Sequence, residues 1–261
     1  MLPIKNTTIL RGALLAASLT IAAASHAAII NWSAAQNITN DNDVSTAGTL
    51  VAAYNVGGAG IPATTINGVT FQAFAAPNGG GAVTVGNFTL DPGPSTFGSA
   101  IGAGGSPLSP FSNLSSSYQV LLRSYADRTT NTGVALTMSG LTVGQTYQFE
   151  FWGNYSSTAL PGGLTTATAG NTVNVSLQTS GVAGGTGQYA IGTFTADAGT
   201  ELVEFAGPNC GLLNGFQLRA LGGPGPAPGP SPIPEPGSAL AGLLALGVCA
   251  GGMLRRSRIR P

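Results

Sequence analysis

The amino-acid sequence predicts an all-β fold: a single β-sandwich of jelly-roll type, with an N-terminal signal peptide and a C-terminal single transmembrane helix. Three observations carry that expectation. From Ile29 to Leu221, short runs rich in Val, Ile, Thr, Phe and Tyr recur between breaks of Gly, Pro, Asn and Ser. In the clearest run, Gln145 to Tyr155, the residues Tyr147, Phe149 and Phe151 point one way while Gln148, Glu150 and Trp152 point the other. That period of two is what a half-buried sandwich strand needs. One stretch, Ser115 to Ala126, places its apolar residues at helical spacing. Evenly spaced strands with so little helix belong to sandwiches.

Taken in order, Thr49 to Val56 (TLVAAYNV) and Thr64 to Phe74 (TTINGVTFQAF) are β-rich, and Asn67-Gly68 within the second is a tight-turn dipeptide. Gly86 to Leu90 is a short strand. Asp91 to Pro110 repeats Gly and Pro and reads as a long surface loop. In Ser115 to Ala126, serines supply a cap, and Tyr118, Leu121, Leu122 and Tyr125 form one apolar face. Val134 to Ser139, Gln145 to Tyr155, Thr172 to Thr179, Gln188 to Thr195, Thr200 to Ala206 and Leu212 to Leu221 complete the strand set.

Charge divides the chain more sharply than its total suggests. Nine basic and nine acidic residues cancel formally, yet only Arg123, Arg128 and Arg219 lie in the interior, against eight carboxylates. An acidic domain with basic ends argues against nucleic acid as a partner. Basic residues flanking apolar runs are instead what membrane targeting requires. Residues 1–27 fit a secretory signal: Lys5 and Arg11, an apolar stretch from Gly12 to Ala24, then small residues that place signal peptidase cleavage between Ala27 and Ala28. The domain then spans 28–221 and a Pro/Gly linker 222–233. The terminal segment 234–261 holds Pro234, Glu235 and Pro236, an apolar transmembrane run 239–254, and a basic tail 255–261 with Arg255, Arg256, Arg258 and Arg260. By the positive-inside rule that tail stays cytoplasmic and the domain faces outward.

Those last residues, with all three elements in order, resemble the PEP-CTERM sorting signal of Gram-negative bacteria. The resemblance implies an exosortase as partner, a transient anchor in the inner membrane, and release or transfer of the domain to the cell surface or extracellular matrix. It also implies a link to exopolysaccharide and biofilm. A second resemblance covers Leu141 to Trp152 (LTVGQTYQFEFW), Gly192 to Ala196 and Leu213 to Arg219, which are similar to strands of galactose-binding-domain-like jelly rolls. It implies a carbohydrate-binding sandwich.

The residue inventory limits the chemistry. His26 and Lys5, the one histidine and the one lysine, leave with the signal peptide, which excludes Ser-His-Asp and Cys-His catalysis, His-ligated zinc and Schiff-base chemistry. No phosphate-cradling loop is present, so no cofactor and no catalytic residue is expected. Cys210 and Cys249 are too far apart in the organisation of the chain to form a disulfide scaffold. Asp41-Asn42-Asp43 lacks the spacing of a calcium loop, and a turn or cap accounts for it. Trp152 and Tyr155 could offer sugar-stacking rings, with Glu150 beside them. The expectation is a non-catalytic surface or matrix protein associated with exopolysaccharide. The alternatives are a polysaccharide-active hydrolase or lyase using Glu150 with a second acid, and a structural surface protein without a ligand.

Overall fold

The computed structural model describes residues 28–76, 81–91, 97–99, 108–128, 133–157, 159–208 and 211–222. The signal peptide, the sorting motif, the transmembrane run, the Arg tail, Cys210 and Cys249 lie outside the described residues. So does all of the linker but its first residue, Gly222. No helix among the described residues is long and apolar enough to cross a membrane.

Along the chain come β1 (Asn31–Trp32), β2 (Gln36–Asn37), β3 (Thr49–Gly58), β4 (Thr64–Ile66), β5 (Val69–Ala76), β6 (Val83–Val85), β7 (Phe88–Asp91) and β8 (Phe97–Ser99). The helix α1 (Ser116–Leu122) leads into β9 (Ser124–Arg128), β10 (Val134–Ser139), β11 (Thr146–Gly153), β12 (Leu164–Ala169) and β13 (Asn171–Ser176). The last four strands are β14 (Gln188–Thr195), β15 (Thr200–Ala206), β16 (Gly211–Leu213) and β17 (Gly215–Ala220). An eight-stranded sheet runs β1-β14-β11-β17-β3-β5-β4, with β2 also on β14. A six-stranded sheet runs β13-β12-β15-β10-β7-β6, and β16-β9-β8 form a small third sheet. Among the described residues all strand pairings are antiparallel except β3 with β5. The molecule is all-β and its two large sheets form a sandwich.

Between those sheets lies the main core. Phe149, Phe151, Phe216 and Leu218 of the larger sheet meet Leu136, Met138, Val203 and Phe205 of the smaller one. Phe151 and Phe205 close the gap directly, edge to face at 5.0 Å between ring centres.

The expected strand pattern holds at β10, β14 and β15. The turn between β4 and β5 is Asn67-Gly68, with φ of 48° and 74°, the positive pair a two-residue hairpin needs. Three expectations need correcting. The helical stretch ends at Leu122, because Ser124 to Arg128 pair with β8 and β16 and so become strand. The Asp91 to Pro110 loop contains β8. Leu212 to Leu221 is two strands, one paired with β9 and the other with β11 and β3, and they meet at Asn214, whose side chain donates to the Leu122 and Ser124 carbonyls.

A fourth correction matters most for function. Strand β11 is not half-buried, for its far face is covered as well. The segment 38–44, α1, Phe111 and Leu114, and the β4–β5 hairpin lie over it. They enclose a second core of Ile38, Val44, Phe71, Tyr118, Leu121 and Trp152. Trp152 packs edge-on to Phe71 at 5.4 Å, and its Nε1 donates to the Tyr118 hydroxyl at 2.8 Å. Ser115 caps α1 by accepting from the Tyr118 N–H at 3.1 Å, which fixes where the phenol enters.

Tyr118→Phe keeps the ring but strands the buried Trp152 N–H. The expected cost is about 1–3 kcal/mol in urea unfolding. In the Trp152→Phe background the same change should cost much less, and equal costs in both backgrounds would refute the coupling.

Candidate functional site

The antiparallel register of β11 on β17 sets Glu150 opposite Gln217 and Gln148 opposite Arg219. All four point to the face covered by the chain before β3, and all four are buried. Ser45 crosses directly above the carboxylate. Its N–H donates to Glu150 Oε2 at 3.1 Å, and Gln217 Nε2 donates both to that oxygen and to the Ser45 carbonyl. Arg219 grips the next residues by their carbonyls: Nε to Ala47 at 2.5 Å, Nη2 to Thr46 and Gly48 at 3.1 Å each. Its Nη1 reaches Gln217 Oε1 at 3.2 Å, so Glu150, Gln217 and Arg219 form one connected row with Gln148 beside it. Gly48 is needed there, since it adopts φ of +67° and a Cβ would run into the Ala220 carbonyl.

This row is not fully satisfied. Glu150 Oε1 and Gln148 Nε2 are buried without a hydrogen-bond partner. Burial pushes the Glu150 carboxyl up to about 8, against the pull of the Gln217 and Ser45 donors, with Asp43 adding to the rise and Arg219 opposing it. At neutral pH the group is therefore mostly an uncharged acid, which lowers the cost of holding it in a dry layer.

Of the three residues expected to face a sugar, Glu150 and Trp152 are 0 % exposed, so neither offers a surface to a ligand. The covering layer, which the strand pattern does not reveal, is the reason. Tyr155 alone is partly exposed, beside Tyr125 at 6.1 Å between rings. Asp43, whose charge acts on Glu150, is engaged as a cap: it accepts from Thr39 N at 2.6 Å, Thr39 Oγ1 at 2.9 Å and Asn40 N at 2.9 Å. Asp41 accepts from the Ser115 hydroxyl at 2.6 Å. The Asp41-Asn42-Asp43 turn is thus occupied with its own backbone and with α1. Among the described residues no group of three or more His, Cys, Asp or Glu could hold a metal.

An open cleft of about 300 Å³ lies elsewhere, between the end of β3 and the last turn of α1. Gly58 to Pro62 form one wall, and Val120, Arg123 and Ser124 the other. Close approach of the walls requires glycine at 57, where a Cβ would lie 2.6 Å from Ser124 Cβ and 2.9 Å from Ile61 Cγ2. Asn55 ties the floor together, donating to the Pro62 carbonyl at 3.0 Å and accepting from the Ser124 hydroxyl at 2.9 Å. Arg123 donates through Nη2 to Gln119 at 3.1 Å, while its Nε is buried without a partner. Chemically the cleft offers apolar surface from Ile61, Pro62 and Val120 beside the Arg123 side chain. Sequence reasoning passed over it; the scarcity of interior arginines was the available signal.

Comparisons with known proteins add the following. No family model and no curated relative matches the chain. Among solved structures it is similar to the ANXUR2 extracellular domain from Arabidopsis thaliana, at 10 % identity and a TM-score of 0.31, covering 70 % of this chain and 52 % of that one. The chain thus spans about half the length of that structure. A second likeness is to a structure described as the basis of promiscuous specificity in carbohydrate-binding modules of the β-sandwich superfamily. Identity there is 14 % and the TM-score 0.14, with 72 % of this chain and 97 % of that one covered.

The raised Glu150 carboxyl sets a pH dependence. Its folded value near 8 exceeds the ordinary 4.5, so the fold favours the protonated form. That stabilisation is complete below about 4.5 and is lost as pH rises through about 8. Thermal midpoints should fall as pH rises from about 4.5 to about 8 and level off above it, and Glu150→Gln should flatten the decline. An unchanged slope in the variant, read by calorimetry, would contradict this account.

Proposed function

We propose that this protein is an exported, non-catalytic β-sandwich of the bacterial surface or matrix, sorted by an exosortase and associated with exopolysaccharide through the Arg123 cleft. Sorting is supported by the order Pro234-Glu235-Pro236, apolar run, Arg tail at the end of the chain. A binding role is carried by one observation: an open cleft brings the apolar side chains of Ile61, Pro62 and Val120 together with the Arg123 side chain. Sugar rings present that combination in reverse, with apolar C–H faces and hydroxyl edges. The acidic interior disfavours a highly anionic polymer, so neutral or weakly anionic polysaccharide is the fitting class.

A non-catalytic reading also draws on Glu150. Glycoside hydrolysis needs two carboxyl groups about 5–10 Å apart across a site that substrate can enter. Glu150 is instead enclosed under Ser45 and bonded to Gln217, and Asp43 is committed to its cap.

Two measurements test the two halves separately. Intact mass of the protein from cells with the exosortase should show loss of the Arg tail, and from cells without it retention; equal masses would overturn sorting. Retention on the host's extracted exopolysaccharide should weaken roughly tenfold in Arg123→Gln, the scale of one lost charge-assisted hydrogen bond. Undiminished retention would remove the cleft from the proposal.

A further inference from the structure

Glu201 is the second deeply buried carboxylate, and no role described so far uses it. Strand β15 alternates strictly, and Glu201 shares the inward parity of Val203 and Phe205. It therefore points between the sheets, at the rim of the sandwich, and is 2 % exposed. Both its oxygens are buried without a hydrogen-bond partner. The N–H groups of Ala28 and Leu202 lie against the carboxylate and favour its charged form, yet neither reaches full hydrogen-bond geometry. A carboxylate in that position, with one amide hydrogen offered from each neighbour, is under-satisfied.

Ala28 is itself held in place. It is buried in the main core, Ile30 behind it is fully buried, and the Ile30 N–H donates to the Ala169 carbonyl at 3.0 Å. Ile29 lies across Gly170. The backbone nitrogen of residue 28 is thus fixed beside Glu201 by packing on both sides. It is also the atom that signal peptidase would set free.

We infer that Glu201 is a receptor for the α-ammonium of Ala28, so that removal of the leader after Ala27 completes a buried ion pair and locks the N-terminal segment across the two sheets. This rests on the export reading above. Cleavage exchanges one amide N–H for three ammonium donors and a positive charge, which is what two unpartnered carboxylate oxygens lack. Burial alone, with the leader's amide in place, pushes the Glu201 carboxyl up to about 7, and Asp197 adds to that rise. Strands β1, β10, β12 and β13 around it carry no ionisable side chain, and Glu204 of β15 points to the opposite face. Before cleavage, then, the group stabilises the fold below about 4.5 and that stabilisation is lost as pH rises through about 7. After cleavage the ammonium, with an ordinary value near 8, holds the carboxylate ionised, and the loss at neutral pH is removed.

The test compares three forms of the chain ending at Pro261: one starting at Ala28 with a free amine, the same with the amine acetylated, and one retaining Ala27. At about pH 7 the free-amine form should melt roughly 3–6 °C above the other two. Its α-amine should titrate above the ordinary value and react slowly with acylating reagents. In Glu201→Gln, which keeps the shape, the three forms should melt together. Equal midpoints in the wild-type series, or a difference that survives Glu201→Gln, would overturn the ion pair. N-terminal sequencing of the exported protein separates the two levels. A start other than Ala28 overturns the processing step on which the inference rests, whereas a start at Ala28 with no amine-dependent difference overturns the ion pair alone.

Discussion

A strand buried on both faces cannot leave a polar side chain to water, and β11 is such a strand. Phe149 and Phe151 enter the main core, while Gln148, Glu150 and Trp152 enter a second layer. Everything above that layer is arranged to meet the demand. Trp152 finds the Tyr118 hydroxyl, which requires α1 to lie where Ser115 caps it. Glu150 finds the Ser45 N–H and Gln217, which requires the chain before β3 to fold back over the sheet. Arg219 holds that return by accepting no counter-ion at all and donating to three successive carbonyls. A buried guanidinium bonded only to neutral oxygens is costly to desolvate, and burial accordingly lowers its pKa. Burial drives Glu150 beside it toward the neutral form, so Arg219 is held by its carbonyl partners and not by a buried ion pair.

The same economy of charge runs through the rest of the domain. With 7 % charged residues, exposed strand pairs are joined by hydroxyls where other proteins use ions. Thr65 meets Thr70 at 3.0 Å, Thr84 meets Thr89 at 2.8 Å, and Thr146 meets Thr195 at 3.1 Å. Such cross-strand pairs contribute a few tenths of a kcal/mol each and are insensitive to salt. Buried junctions use amides instead. Asn214 and Asn154 both donate to the Leu122 carbonyl, and Asn154 also accepts from Gly187 N–H, which ties α1, β11 and the start of β14 at one point.

Much of the sandwich is legible in the sequence because its inner residues are large. Phe194, Val203 and Phe205 announce β14 and β15, and Asn67-Gly68 announces its turn. Strand β12 escapes notice because the residues it buries, Thr165, Ala167 and Ala169, are small and leave no hydrophobic period to detect. Strand β9 reads as helix because Tyr118, Leu121, Leu122 and Tyr125 fit a turn of 3.6, and only pairing with β8 and β16 overrides that spacing. The second layer is the harder loss. Its parts come from residues 38–44, 66–71 and 111–122, so no local window contains the information that Trp152 is covered. A sugar platform inferred from strand alternation fails at Glu150 and Trp152 for that reason alone.

Glu150 and Glu201 show how differently one fold can bury the same group. Both lie on strands in register with apolar neighbours, and both are driven toward the neutral form by loss of water. Glu150 sits at the middle of its sheet, where Gln217 and Ser45 supply donors from within the chain as synthesised. Glu201 sits at the rim, where the strand that should supply a partner, β1, begins only at Asn31 and is short. Among the described residues no side chain hydrogen-bonds it, and the donors that lie against it are the backbone N–H groups of Ala28 and Leu202. A central acid can be settled by side chains because neighbouring strands are always present, whereas a rim acid depends on whatever the terminus provides. Under the proposed processing the chemistry of that terminus would change, and the sandwich places an unpartnered carboxylate beside residue 28.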